Sequence, residues 1–189
     1  MNPISLASGV LPEFGAADVI EAARAAGFDA AGVWGGAVGG GGRPRGGGGA
    51  GGGGPRGEAT PADTRSARAA LVATGLPLLD VEVVWIKPDS ALDDHRKVID
   101  VGAELGAANV LCVSSDPDHG ATADKLAALC RHAEGSGMRV ALEFGVFTEV
   151  KNLSQALAVL DHVGHPLRAV LVDPIHVDRS GTTLAELAA

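Results

Sequence analysis

A chain of 189 residues that is 46% apolar has the material for one domain, residues 1–189, with a substantial core. Its net charge of −8 works against nucleic-acid binding, which needs a basic surface, and suits a small-molecule partner. No apolar stretch reaches the roughly 18 residues of a membrane-spanning helix, and no basic flank followed by an apolar run marks a signal peptide at the N-terminus.

The two cysteines, Cys112 and Cys130, each lie inside an apolar segment and read as reduced core residues of a cytoplasmic protein. With no tyrosine and 3% aromatic residues, the core must be mainly Ala, Val and Leu.

In chain order, Ile4 to Ala7 reads as a first strand, closed by Ser8-Gly9. Ala16 to Ala26 carries Val19, Ile20, Ala23 and Ala26 at helical spacing and stops at Gly27. Asp29 to Trp34 comes next as a second strand, so the unit implies a parallel pair with a right-handed crossover. Gly35 to Gly57 then holds 15 glycines in 23 residues, with Arg43, Arg45 and Arg56 as its charges. Such a stretch buries too little surface to offset backbone entropy, so residues 35–60 read as a disordered insertion. It lacks the Gly-Lys-Ser/Thr of a phosphate loop and the interleaved aromatics of an RNA-binding segment.

Thr60-Pro61 reopens regular structure. A helix is expected over Ala62 to Thr74, a strand over Leu78 to Ile86, and a helix over residues 90–105 with Ser90 as its cap. Then come a strand at Asn109 to Ser114, a helix at Thr122 to Glu134, a strand at Arg139 to Phe144 and a helix at Leu153 to Val163. A sixth strand, Arg168 to Val172, and the start of a helix at Thr183 to Ala188 end the pattern.

Strict alternation of strands and helices means an α/β fold with a parallel sheet. Two closures fit: an open doubly wound sheet, or a TIM-type (β/α) barrel of which about six of the eight strand-helix units are present. The placement of polar residues favours the incomplete barrel, because barrel chemistry sits on the loops at the strand ends. Glu143 and Asp173 both stand there, as do Trp85 and the segment Ser114 to Asp116.

A carboxylate at the tip of a buried strand is costly unless something pairs with it. Alternation along Arg139-Val-Ala-Leu-Glu puts Ala141 and Glu143 on the face opposite Val140 and Leu142. The same parity groups Ala169, Leu171 and Asp173, and it groups Asp80, Glu82 and Val84. Glu143 and Asp173 therefore read as ligands of one divalent cation, since carboxylates are hard oxygen donors. The competing reading pairs Glu143 with an arginine such as Arg179. His176, three residues after Asp173, reads as a ligand or substrate donor. Glu149 at a helix start is a weaker substrate contact, and Trp85 offers either an apolar wall or core packing. His119, in Ser115-Asp-Pro-Asp-His-Gly120, reads as a surface residue of a turn-rich loop.

The segments Ile4-Ser-Leu-Ala-Ser8, Ala22-Ala-Arg-Ala-Ala-Gly-Phe-Asp29, Leu142-Glu-Phe144 and Asp173-Pro-Ile-His-Val-Asp-Arg-Ser-Gly181 resemble the sugar phosphate isomerase/epimerase group, which has the xylose isomerase-like barrel fold. The resemblance implies that Glu143 and Asp173 bind a divalent metal (Mn, Mg, Co or Zn), that His176 and Glu149 contact substrate, and that Arg179 lies in the substrate-binding motif. It implies isomerisation or epimerisation of a sugar or sugar-like ketone, by proton transfer next to a carbonyl through an enediolate, with Glu143 also a catalytic base.

In that group two more ligands come from the seventh and eighth strands, which this sequence does not contain. The expectation is a fragment of a longer protein, a chain completed by a partner as in a homo-oligomer, or a degenerate, non-catalytic barrel. A lyase dehydrating an inositol-type ketone uses the same metal logic. An apurinic endonuclease on the same fold is disfavoured by the acidic charge.

Overall fold

The computed structural model describes residues 2–35 and 60–188, so the expected disordered insertion, apart from its end residues Gly35 and Thr60, lies outside the described residues. Six strands, β1 (Ser5–Leu6), β2 (Ala30–Trp34), β3 (Leu78–Ile86), β4 (Asn109–Ser114), β5 (Arg139–Glu143) and β6 (Arg168–Leu171), form one parallel sheet in sequence order. The helices between them are α1 (Ala16–Ala26), α2 (Pro61–Thr74), α3 (Leu92–Leu105), α4 (His119–Ala133) and α5 (Leu153–Val163). Two short helices, α6 (Pro174–Ser180) and α7 (Leu184–Ala188), come after β6. The sheet is unclosed: among the described residues β1 and β6 each have one neighbouring strand. No helix among the described residues is long and apolar enough to cross a membrane.

One face of the sheet is covered by helices, and the core lies there. Ala31, Val33, Val81, Val84, Ile86, Val110, Cys112, Val140 and Leu142 point into it and meet Val19, Ile20, Ile99, Leu126 and Leu160 from the helices. The two thiols, Cys112 and Cys130, are free and buried, and burial pushes Cys130 up to about 11 and Cys112 higher still. The opposite, concave face carries Asp80, Glu82, Trp85, Ala141 and Glu143, the interior of the barrel the sequence predicts.

β3 departs from simple alternation. Its pairing with β4 runs Val81↔Val110 and then Val84↔Cys112, so β3 holds one residue more than its partner over this stretch. Such a bulge reverses the facing of everything beyond it. Val84 therefore joins Val81 in the core rather than sharing the face of Asp80 and Glu82, as parity alone predicts. The same shift brings Trp85 to the concave side, beside Val113.

Other corrections are local. Ser90 does not cap α3; the cap position is Ala91, with no side-chain bond. The Ser90 hydroxyl instead donates to Lys87 O (2.9 Å), accepts from Lys87 N (3.0 Å) and bonds His95 Nε2 (2.9 Å), tying down the turn after β3. α4 begins at His119 rather than Thr122, because Asp118 accepts from the amides of Gly120 (2.8 Å) and Ala121 (3.0 Å). β6 ends at Leu171, and Asp173 leads into a helix rather than a loop.

Candidate metal centre

Glu143 is the last residue of β5 and pairs in register with Leu171, the last of β6. Asp173 comes two residues later, in extended conformation, as the N-cap of α6. One of its carboxylate oxygens, Oδ1, accepts from Ile175 N at 2.7 Å, and Pro174 sits at the helix start, where its missing N–H costs nothing. The cap turns α6 back over the sheet and carries His176 toward Glu143. Ligand atoms of Glu143, Asp173 and His176 all lie within 4.8 Å of one another. Two oxygens on opposite sides of one small divalent ion stand roughly 4.2 Å apart, so small side-chain adjustments suffice for a common ion.

The electrostatics of the trio are those of a site short of positive charge. Glu143 is 9% exposed, and no hydrogen bond reaches its carboxylate among the described residues. His176 Nε2 stands 3.9 Å from its Oε1, which is too long for a hydrogen bond. Burial, and then the charge of Asp173, push the Glu143 carboxyl up to about 7. His176 Nδ1 is buried without a partner. Such a donor set fits a divalent cation: two acidic oxygens that repel each other and an imidazole edge converge on one point.

A second pair of carboxyls stands deeper on the concave face. Burial first, then the neighbouring Asp80, then Glu143, push Glu82 up to about 8. Burial likewise raises Asp80, and a hydrogen bond between the two side chains works the other way on it. Both shifts disfavour two charges side by side at this point. The interior polar stripe was legible in the sequence; its protonation state was not.

The expected substrate contacts divide. Trp85 lies on the concave side, its Nε1 donating to Ser115 Oγ at 2.8 Å, and it meets Phe147 edge-on with ring centroids 6.2 Å apart. Phe147 in turn packs on His176 at 5.0 Å. Sequence reasoning missed Phe147; its place four residues after a strand-tip carboxylate was the available signal. Glu149 is not at a helix start. It is exposed in the β5–α5 loop, where its carboxylate pairs with Lys151 Nζ at 2.7 Å, its amide donates to Ser114 O and its carbonyl bonds His119 Nε2. Arg179 is exposed on α6, and no ion pair joins it to Glu143 among the described residues. His119, the first residue of α4, thus ties that helix to the β5–α5 loop.

Solved structures with this architecture share the strand-helix alternation. A xylose isomerase domain protein from Salmonella typhimurium LT2 superposes with a TM-score of 0.71 at 14% identity, over 100% of this chain and 68% of its own. The fold is that of the xylose isomerase-like barrels. D-psicose 3-epimerase, solved with D-fructose, gives 0.70 at 12% identity, over 96% of this chain and 67% of its own. A xylose isomerase-like barrel fused to a 4-hydroxyphenylpyruvate dioxygenase gives 0.65 at 20% identity, with 92% of this chain covering 27% of the fusion. The chain thus spans six strand-helix units of the xylose isomerase-like barrel, about two-thirds of the length of the single-barrel structures and about a quarter of the fusion. No family model and no curated sequence matches the chain.

Proposed function

We propose that this barrel belongs to a metal-dependent isomerase or epimerase of a sugar or sugar-like ketone, with Glu143 and Asp173 holding the ion. The observation that carries the reading is the buried Glu143 carboxylate, which faces a second carboxylate and an imidazole and receives no hydrogen bond among the described residues. A divalent ion bound there supplies Lewis-acid stabilisation of the negative charge that builds on substrate oxygens. Burial and Asp173 raise the Glu143 carboxyl to about 7 in the metal-free site, and a bound cation would lower it toward the ionised form that can accept a proton. Glu143 takes the proton from the carbon beside the carbonyl and returns it. His176 turns Nε2 toward the same point and orients a substrate oxygen. Trp85 and Phe147 form the apolar side, against which the C–H face of a sugar lies and from which water is excluded. The acidic balance of the chain and its free, buried thiols suit a small-molecule enzyme of a reducing compartment.

The test is calorimetric titration of the protein with Mn²⁺, beside turnover on a panel of ketoses. Glu143→Gln and Asp173→Asn are each expected to weaken Mn²⁺ binding by at least about tenfold, as loss of a liganding charge should. Unchanged stoichiometry and affinity in both variants would overturn the reading.

A further inference from the structure

We propose that Phe147 is a positioning residue that fixes the ring of His176, using space that Gly145 leaves open. The inference rests on the proposed metal site only for why a fixed His176 matters; the geometry itself stands without it. An imidazole turns about a broad final torsion, so its ring plane needs an outside hold. In most functional histidines a hydrogen bond from the second ring nitrogen supplies it. Here that bond is missing. His176 Nδ1 is buried without a partner, and Nε2 stands 3.9 Å from Glu143 Oε1.

What holds the ring is packing. The Phe147 and His176 centroids are 5.0 Å apart at an interplanar angle of 45°, and Phe147 is itself met edge-on by Trp85 at 73°. Trp85 is anchored to β4's end through Ser115. Phe147 is half exposed, so core burial does not account for its placement. The loop that carries it is stiff: Thr148 Oγ1 donates to Gly145 O and shares a bond with Val150 O (both 2.9 Å), and Gly145 N donates to Val150 O at 2.9 Å.

Gly145 completes the arrangement. A methyl group there would stand 2.5 Å from Phe147 Cε1 and 3.3 Å from His176 Cγ. Any other residue at 145 forces the Phe147 ring off its seat, and since that ring borders solvent it would swing outward rather than crush the histidine.

The test uses the metal-free protein with ¹³C-labelled histidine and reads the relaxation of the His176 ring carbons. Phe147→Ala is expected to broaden the His176 signals on the order of twofold, through ring motion on the μs–ms scale. Phe147→Tyr, which keeps the ring, should restore the wild-type line. Gly145→Ala should reproduce the broadening although Phe147 is still present. Val146→Ala, at the exposed neighbouring position, should leave the signals unchanged. His176 relaxation that is the same in Phe147→Ala and Gly145→Ala as in the wild type would overturn the proposal. Failure of Mn²⁺ to bind the wild-type protein would instead count against the metal site, and the two failures are read in separate experiments.

Discussion

Glu82 occupies a concave, half-buried position with Asp80 beside it and Glu143 within electrostatic reach, so its charge is expensive. Its carboxyl is raised from 4.5 to about 8. The folded protein therefore holds a proton that the unfolded chain releases. The stability this confers is fully present below about pH 4.5 and is lost as pH rises toward 8. Glu82→Gln removes the ionisation but keeps an amide beside Asp80. The variant is expected to flatten the decline in melting temperature between pH 5 and pH 9, with its largest advantage over wild type at the alkaline end. Melting curves at both pH values check this, and parallel declines in the two proteins would show that Glu82 does not ionise in that range. Glu143 and Asp173 were legible in the sequence because an apolar run that ends in a carboxylate states its own problem. Phe147 carried only its place after Glu143 as a signal, because its partner is reached across a loop folded by Thr148 and opened by Gly145.

At the level of elements, α3 lies close enough to β3 and to Met138, just before β5, that Gly102 has no room for a side chain. A methyl there would stand 2.7 Å from Val81 Cγ1 and 2.9 Å from Met138 Sδ. In an exposed helix, glycine to alanine gains up to about 1 kcal/mol. At this contact, Gly102→Ala is expected to cost roughly 1–3 kcal/mol, because Val81 is stiff and cannot turn away. For a chain of this size that lowers the melting point by about 2–4 °C per kcal/mol, measurable by calorimetry. The helices that the sequence placed well, α1, α2 and α5, carry sustained apolar spacing and an αL glycine just past the end. α6 escaped because seven residues hold too little periodicity, although Asp173-Pro174 has the form of a cap and first turn. α4 was placed late because Gly120 in its first turn reads as a breaker. The bulge in β3 has no signature in composition, since Val83 and Val84 suit either face.

For the molecule as a whole, the sequence-ordered sheet makes stability uneven. β3 and β4 each have neighbours on both sides, whereas β1 and β6 have one, and β6 is only partly covered. Hydrogen exchange should therefore be slowest at Val81 and Val110 and faster, by at least about tenfold, along Arg168–Leu171. Uniform protection across the sheet would mean that the strands open only together. The fold class was legible because strand-helix alternation is set by the repeat of apolar segments and glycine stops, which survive any detail of packing.

The extra residue in β3 has a consequence for how the cavity can change. Asp80, Glu82 and Trp85 reach the concave side together only because the strand gains one position between Val81 and Val84. Losing the Val83 codon would restore plain alternation with the facing unchanged: Val84, then two positions after Val81, would stay in the core, and the indole, two positions after Glu82, would stay on the concave side. The extra residue can therefore be lost without exchanging the lining of the concave side, whereas a codon lost or gained elsewhere in the strand would turn the residues beyond it to the other face.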